Sequence, residues 1–354
     1  MKNHSFSVML ALLAALLFGL NAPISKLLLV GISPMFMVAF LYLGAALGML
    51  LLHVFSWHRR TEASLSRREL PWTILMILLD VIAPFLLMWG LRMTSAANAS
   101  LLFNFEMVAT SLIALCFFYE SMGKRMWMAL GVITLASILL SIDFSEASVW
   151  QFSVGSLFVL GACGCWGLEN NCTRNMSAKS PAQIVMVKGF GSGLTALFLA
   201  ILMKNPFPES FIFVSLALLL GFVAYGLSIF FYVKAQRSLG AARTSAYYAA
   251  APFMGVILSI LLLREVPTWN FIIASGFMIY GVFLAFSEEH VHLHFHEKLT
   301  HDHAHRHDED HHNHVHHPPV TGVHTHEHTH EACAHIHPHL PDIHHRHSHD
   351  QNVS

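Results

Sequence analysis

"LRMTSAANASLLFNFEMVATSLIALCFFYE" (residues 91–120) and "QRSLGAARTSAYYAAAPFMGVILSILLLRE" (residues 236–265) are two versions of one pattern. Each has an arginine at its second position, then a segment of small residues, an apolar run and a terminal glutamate. At a constant offset of 145 residues identical side chains align: Arg92 with Arg237, Ala96 with Ala241, Ala97 with Ala242, Ser100 with Ser245 and Glu120 with Glu265. The chain therefore contains an internal repeat.

The composition around this repeat is that of a membrane protein. Hydrophobic residues make up 55% of the chain and charged residues only 12%, with a mean hydropathy of +0.55. Soluble domains contain about 25% charged residues. The apolar part ends near Phe286, and the tail, Ser287 to Ser354, is polar and contains 24 of the 27 histidines. The tail is thus physically distinct from the body.

Ten segments are long and apolar enough to cross a bilayer, which takes about 20 helical residues. We predict helices at 7–29, 34–57, 71–92, 96–119, 126–143, 152–173, 181–203, 211–235, 241–263 and 269–286. The first segment also has features of a signal peptide, with Lys2 ahead of an apolar run. Its continuation "GLNAPISK" has an echo in the second copy, where Gly19 falls on Gly167 and Lys26 on Arg174. We therefore expect a retained helix.

The distribution of basic residues predicts the orientation, because positive loops remain in the cytoplasm. If the N-terminus is cytoplasmic, twelve basic residues lie on the inner side: Lys2, Arg59, Arg60, Arg67, Arg68, Lys124, Arg125, Arg174, Lys179, Lys234, Arg237 and Arg243. Four lie on the outer side: Lys26, Arg92, Lys204 and Arg264. We expect an integral protein of a bacterial-type inner membrane with both termini cytoplasmic.

The predicted fold class is an all-α membrane protein of two inverted five-helix repeats with a disordered tail. The two repeats are expected at 7–143 and 152–286, and the tail at 287–354. Because five is odd, the second repeat must enter the membrane from the opposite side. Inverted repeats of this kind build secondary transporters with a site near the midplane. The pattern favours a carrier over a receptor or an enzyme.

The two stretches quoted above, continued to Phe286, resemble the EamA-like branch of the drug/metabolite transporter superfamily. The resemblance covers about Leu10 to Phe286 and excludes the tail. It implies a ten-helix inner-membrane carrier, typically an exporter of amino acids or other small metabolites and often proton-driven. One departure is Glu106 in "NFEMV", since the corresponding helix of the second copy has the proline Pro252 in this region and no acidic residue.

Four charged residues within the predicted spans are candidates for the transport pathway: Asp80, Glu106, Glu169 and Lys188. Charge in the bilayer is costly, by about 2.5–3.5 kcal/mol on insertion scales, so it usually faces a cavity or a partner. Asp80 and Glu106 lie near the middle of successive helices. They either share a polar cavity that binds protons or cations, or hydrogen-bond neighbouring helices. Glu169 and Lys188 form either a structural salt bridge or a gate.

Polar and aromatic residues in the same spans are candidates for orienting a small ligand. They are Asn21, Asn104, Asn170, Trp89, Trp166, Tyr247 and Tyr248. Tryptophan and tyrosine also populate membrane interfaces, so a structural role is the alternative for each.

The tail repeats histidine at every second residue, a spacing that places the histidines of an extended chain on one side. The candidate metal ligands are His290, His292, His294, His296, His301, His303, His305, His307, His324, His326, His328 and His330. Imidazole suits zinc, copper and nickel, and geometry alone does not choose among them. No cofactor is expected to be required, and zinc, nickel or cobalt ions are expected on the tail. The segment lacks the large apolar residues of a packed core, so disorder is expected. Since histidine titrates near pH 6.5, a pH-responsive patch is the alternative.

Three functions remain open from the sequence. The first is an exporter of a small organic metabolite or drug, with the lipid bilayer and its substrate as partners and no nucleic acid. The second is an exporter of divalent metal fed by the tail, in which Asp80, Glu106 and Cys116 improvise a site. The third is a membrane-anchored metal sensor or store. The sequence names neither the substrate nor the oligomeric state.

Overall fold

The computed structural model describes residues 2–55, 65, 67–118, 122–143, 151–174, 176, 179–239, 247–287, 290–296, 299–305, 324–330 and 333–339. The first half contains α1 (Lys2–Gly19), α2 (Asn21–Leu28), α3 (Pro34–Phe55), α4 (Leu70–Met93), α5 (Ala96–Leu102), α6 (Phe105–Phe118) and α7 (Lys124–Ser141). The second half contains α8 (Val154–Arg174), α9 (Pro181–Leu202), α10 (Phe211–Leu220), a π-helix (Gly221–Leu227), α11 (Ser228–Leu239), α12 (Ala251–Leu263) and α13 (Trp269–Phe286). A 3₁₀ turn, Arg67–Glu69, precedes α4.

The helices begin where the sequence supplies prolines. Pro34, Pro71, Pro181 and Pro252 all lie in the first turn of their helices, where the missing N–H has no intrahelical partner to lose. The bodies of the helices are nearly continuous apolar runs. Many of their large side chains remain exposed at the outer surface of the bundle, as expected for helices that face lipid.

Seven helical segments in the described part of the chain are long and apolar enough to cross a membrane. They are Ser5–Leu28, Pro34–Leu52, Arg67–Met93, Ala96–Phe117, Lys124–Ser141, Ala182–Leu202 and Phe211–Tyr232. Two further apolar helices are shorter, Ala251–Leu263 and Trp269–Ala285. At the remaining predicted span, α8 has 21 residues but ends in a polar stretch that includes Glu169. The protein is therefore an α-helical integral membrane protein.

Several helices are interrupted within the expected spans. The first breaks at Leu20 between α1 and α2, and the fourth breaks at Phe103 and Asn104 between α5 and α6. The eighth passes through the π-helix, and a turn at 249–250 precedes α12. These interruptions place the N-termini of α2, α6 and α12 inside the bundle.

The helices of the two halves pack in matched sets. Each of three contacts has a counterpart in which the two halves exchange places. The contact of α4 with α8 corresponds to that of α11 with α1, and the contact of α6 with α8 corresponds to that of α12 with α1. The contact of α3 with the π-helix corresponds to that of α9 with α4. Three further contacts join α3 to α9, α5 to α12 and α7 to α13. The main core cluster draws buried side chains from both halves.

Two glycines allow α3 and the α10–π-helix segment to cross with their backbones in contact. A Cβ added to Gly44 would overlap the carbonyl oxygen of Leu218, and a Cβ added to Gly221 would overlap that of Leu41. Small residues at membrane helix crossings serve this purpose.

Short strands complete the described structure. β1 (Ile142–Asp143) pairs antiparallel with β2 (Gln151–Phe152) and links the two halves. In the tail, β3 (His290–His296) pairs with β6 (Cys333–His339), and β4 (Leu299–His305) pairs with β5 (His324–His330). The prediction of a disordered tail is thus wrong for these four segments. They alternate histidine with residues such as Val291 and Ile336, a pattern that suits an extended pair of strands.

Candidate functional site

The charged residues of the spans meet around Lys188. Its ammonium nitrogen lies 3.2 Å from Asp80 Oδ2 and 3.1 Å from Glu169 Oε1. The Asp80 side chain is 0% exposed, that of Glu169 4% and that of Lys188 15%. Residues from α4, α8 and α9 therefore form a buried group of two acids and one base, which we call the Lys188 triad.

Hydrogen bonds hold the carboxylates of the Lys188 triad in place. The Tyr42 hydroxyl donates to Asp80 Oδ1 at 2.9 Å, and the Thr173 hydroxyl donates to Glu169 Oε1. The contact from Lys188 to Asp80 Oδ2 is an ion pair outside hydrogen-bond geometry, so this buried oxygen has no hydrogen-bond partner. Asp80 retains capacity to accept one more donor.

The position of Tyr42 is fixed by close backbone packing. A Cβ on Gly189 of α9 would lie 2.8 Å from the Tyr42 carbonyl oxygen, so α3 and α9 approach closely beside Lys188. This packing orients the hydroxyl that meets Asp80.

Glu106 lies in the first turn of α6, directly after the interruption in the fourth span. It accepts a hydrogen bond from Asn170 Nδ2 at 2.7 Å, and the same nitrogen lies 3.3 Å from Thr110 Oγ1. Glu106 and Asp80 therefore have separate direct partners. They are linked through α8, where Asn170 follows Glu169 of the Lys188 triad.

Asn21 and two tyrosines extend the polar group toward α2. Asn21 is fully buried at the start of α2, and its Nδ2 donates to the Tyr225 hydroxyl at 2.9 Å. The ring of Tyr225 lies 5.4 Å from that of Tyr42. A line of polar aromatic side chains thus runs from Asp80 to the interrupted first span.

A cluster of aromatic side chains, which we call the aromatic wall, lies next to Tyr225. Phe18 lies 6.1 Å from Phe103 and 5.9 Å from Tyr248 between ring centroids, and Phe103 lies 5.9 Å from Trp166. The Tyr248 hydroxyl is 3.3 Å from Ser228 Oγ. Trp166 and Tyr248, both predicted from the sequence, belong to the aromatic wall.

Two predicted residues lie elsewhere. Trp89 follows Asp80 by nine residues, which at about 100° per residue puts it on the opposite face of α4. It is 40% exposed and stacks under Arg92, whose Cζ lies 6.0 Å from the ring. Asn104 is buried but donates to Leu101 O at 3.0 Å. Asn104 therefore stabilises the interruption between α5 and α6.

Three residues near the site, Tyr42, Tyr225 and Thr110, were not predicted from the sequence. Tyr42 and Tyr225 stand singly in mid-span, where an interfacial tyrosine is not expected. Their mid-span position was therefore the feature of the sequence that could have marked both as site residues. Thr110 follows Glu106 by four residues on one face of α6, a spacing that places it next to that carboxylate.

Two cavities lie away from the Lys188 triad. One of about 290 Å³ lies near the junction of α4 and α5, beside Glu265, and an apolar one of about 460 Å³ lies between α12 and α13. Within the triad, protein covers Asp80 and Glu169 almost fully, and Lys188 is 15% exposed. Among the side chains that the structure describes, no three His, Cys, Asp or Glu residues are grouped to hold a metal ion. Cys116 is exposed, whereas Asp80 is fully buried.

The tail histidines stand opposite one another in the strand pairs. In β3 and β6, His290, His292 and His294 align with His339, His337 and His335, and His296 aligns with Cys333. In β4 and β5, His301, His303 and His305 align with His328, His326 and His324. His307 lies outside the described residues.

Comparisons with known proteins agree with this architecture. The EamA-like transporter family matches residues 5–142 and again residues 153–287. An uncharacterized transporter from Methanothermobacter thermautotrophicus is 26% identical over 291 residues, which cover 77% of this chain and 84% of the relative. A solved crystal structure matches 80% of this chain and 98% of its own, with a TM-score of 0.58 and 16% identity. At that identity the likeness concerns the fold alone.

Proposed function

This chain belongs to the EamA-like transporter family, and from that premise we propose that it is a secondary carrier that exports a small organic metabolite or drug by alternating access. Protons are the proposed driving ion. The proposal treats the chain as a carrier and not an enzyme.

The observation that carries the proposal is the Lys188 triad with Glu106 beside it. Charges buried within spans mark substrate or ion pathways by default. Here two carboxylates, Asp80 and Glu169, pair with one ammonium group. A third carboxylate, Glu106, accepts a hydrogen bond from Asn170, the residue after Glu169. Asp80 Oδ2, which has its ion pair with Lys188 and no hydrogen bond, supports a role in accepting a proton or a donor group of the substrate.

The proposed architecture is ten spans in two inverted repeats, 7–143 and 152–286. Its support is the matched packing of the two halves, in which each contact such as α4 with α8 has a counterpart such as α11 with α1. Interrupted helices at the midplane are typical of inverted-repeat transporters. On the basic-residue pattern we further propose that both termini face the cytoplasm of a bacterial-type cell.

Transport by purified full-length protein in lipid vesicles tests the function. Uptake of a panel of radiolabelled amino acids, amines and drugs is measured with and without a proton gradient. At least one compound should accumulate only in vesicles that contain the protein. Failure across the panel, combined with gradient-driven movement of zinc, would replace this proposal by the metal exporter.

Glu106→Gln tests the coupling role. Glutamine keeps an acceptor oxygen for Asn170 Nδ2, so folding should be retained. It cannot carry a proton, so gradient-driven uptake should fall at least tenfold while exchange of labelled for unlabelled substrate persists. Glu209→Gln, in the exposed loop after α9, is the matched control. Unchanged gradient-driven uptake by the Glu106 variant would exclude it as the coupling residue.

We also propose that the tail binds zinc, nickel or cobalt at the cytoplasmic face as an accessory to transport. Support comes from the alignment of histidine with histidine in both strand pairs. Imidazole is a good ligand for these ions. Deleting residues 290–354 separates this role from cargo: metal tolerance of cells should change under the metal-export and sensor functions and stay constant if the tail only tunes export of an organic compound.

A further inference from the structure

The start of α5 is capped by a residue from the other half of the molecule. The first N–H groups of a helix have no partner within the helix. The Ala96 N–H donates to Glu265 Oε1 and the Ala97 N–H to Glu265 Oε2, each at 2.8 Å. The Asn98 N–H donates to Ser95 Oγ at 3.0 Å. We call the two bonds to the carboxylate the Glu265 clamp.

The backbone aims Glu265 at α5. Helix α12 ends at Leu263, and Arg264 adopts a left-handed conformation with φ 53° and ψ 35°. Such a conformation is unfavourable for a non-glycine residue and persists where surrounding contacts enforce it. The turn at Arg264 brings the following carboxylate back toward the first half.

Other contacts gather at the same end. The ammonium group of Lys26, at the end of α2, donates to the Thr94 carbonyl just before α5. The cavity of about 290 Å³ is lined by Thr94, Ala97, Asn98 and Glu265 among others. The clamp therefore closes one side of a recess that lies between the two halves.

Helix α5 connects this end to the buried site. It has seven residues and is separated from α6, which carries Glu106, by the interruption at Phe103 and Asn104. Close packing with α12 holds its middle, because a Cβ on Gly255 would lie 2.7 Å from Ser100 Oγ. A short, separately capped segment can shift relative to α6 without unfolding the rest of the span.

We infer that Glu265 is a positioning residue for transport: its clamp on Ala96 and Ala97 holds α5 in the closed arrangement at the outer end. Release of the clamp lets α5 move away from α12 and opens the path to the buried site. This role rests on the proposed carrier function and orientation. Glu265 acts through α5 and does not touch the Lys188 triad.

The chemistry of the clamp depends on two equivalent acceptor oxygens. Glutamine offers one oxygen and an amide nitrogen that opposes an N–H, so Glu265→Gln loses one of the two bonds. Aspartate keeps both oxygens on a shorter stem. The closed state should therefore weaken more in Glu265→Gln than in Glu265→Asp.

Cys163 is a reporter for opening. It is buried, and its Sγ lies 3.5 Å from Leu102 O at the inner end of α5. In full-length protein with the other four cysteines replaced by serine, a membrane-impermeant maleimide is applied from outside. Glu265→Gln should raise the labelling rate of Cys163 at least tenfold, and Glu265→Asp by a smaller factor. Glu209→Gln, an exposed glutamate changed in the same way, should leave the rate unchanged.

A thermal melt of each purified variant in detergent shows whether it is folded, and Glu265→Asp takes over as the test if Glu265→Gln is not. An unchanged labelling rate in folded variants would overturn the clamp. Labelling requires no substrate, so the two proposals fail separately. If labelling rises and no organic compound is transported, the clamp stands as the contact that holds α5 closed, and export of an organic compound is rejected.

Discussion

At the scale of single residues, Lys188 provides the positive charge that pairs with two buried carboxylates. Lys188 pairs with both Asp80 and Glu169 in a region where their side chains are 0–15% exposed. Removing one partner of a buried ion pair leaves an uncompensated charge, and this costs about 3–5 kcal/mol. The lysine therefore stabilises the fold as well as the site.

Lys188→Met should lower the free energy of unfolding by about 3–5 kcal/mol, because two carboxylates lose their counter-charge. Unfolding by SDS titration in mixed micelles measures the loss. Lys124→Met, at the exposed start of α7, should change stability by less than about 0.5 kcal/mol. Adding Asp80→Asn to Lys188→Met should restore part of the loss. Equal stability of Lys188→Met and Lys124→Met would show that the ion pairs contribute little.

The sequence was sufficient to select these residues and to suggest the pair of Glu169 with Lys188, but it did not predict the contact of Lys188 with Asp80. Charges are rare in spans, so Asp80, Glu106, Glu169 and Lys188 stand out, and the pairing of Glu169 with Lys188 follows from adjacent helices. The Asp80 contact joins helices that are distant in the chain and needed the structure. Tyr42 was missed because a tyrosine in an apolar span carries no signal of its hydrogen-bond partner.

At the scale of elements, the interruptions of the spans were not predicted. Hydropathy reports the length of an apolar segment and is insensitive to a break within it. Three of the breaks can be matched to residues afterwards. Pro23 and Pro252 lie in the first turns of α2 and α12, the position that proline favours, and Asn104 lies at the break between α5 and α6. The π-helix carries glycines at Gly221 and Gly226 and no other cue.

Gly44→Ala and Gly221→Ala should each destabilise the protein by about 1–3 kcal/mol or more, since the new methyl group overlaps a backbone carbonyl. Melting temperature in detergent is the measurement. Gly131→Ala is the matched control, because nothing lies within 4 Å of its added Cβ; it should be neutral or stabilising by about 0.5–1 kcal/mol as a helical glycine replaced by alanine. Similar melting temperatures for all three variants would contradict the close crossing.

At the scale of the whole molecule, the internal repeat predicted a pairing of halves, and the helices do pack in matched sets. The repeat can be recognised in the sequence because the same small residues recur at one offset. The strand pairs of the tail could not be recognised in this way, because β3 and β6, like β4 and β5, are separated in the sequence by an intervening segment. Only the alternation of histidine was visible.

An exchange of neighbours within β5 tests the tail without changing its composition. Three double exchanges, H324T/T325H, H326E/E327H and H328T/T329H, move the histidines opposite Ala304, Asp302 and Thr300. The number of zinc ions that the full-length protein binds, measured by calorimetry, should fall, because zinc takes four ligands at once and only the β3–β6 alignment of histidines remains. A number equal to that of the unaltered chain would mean that histidine content alone governs binding.

The crossing at Gly44 and Gly221 has a mechanical consequence. Each glycine lies at the middle of a 22-residue helical segment, Pro34–Phe55 and Phe211–Tyr232, which is about 33 Å long. Contact at mid-length makes the crossing a fulcrum: a relative rotation of about 10° would move the helix ends by about 3 Å while the centre stays in place. A lever of this shape converts small changes at the ends into opening on one side and closing on the other.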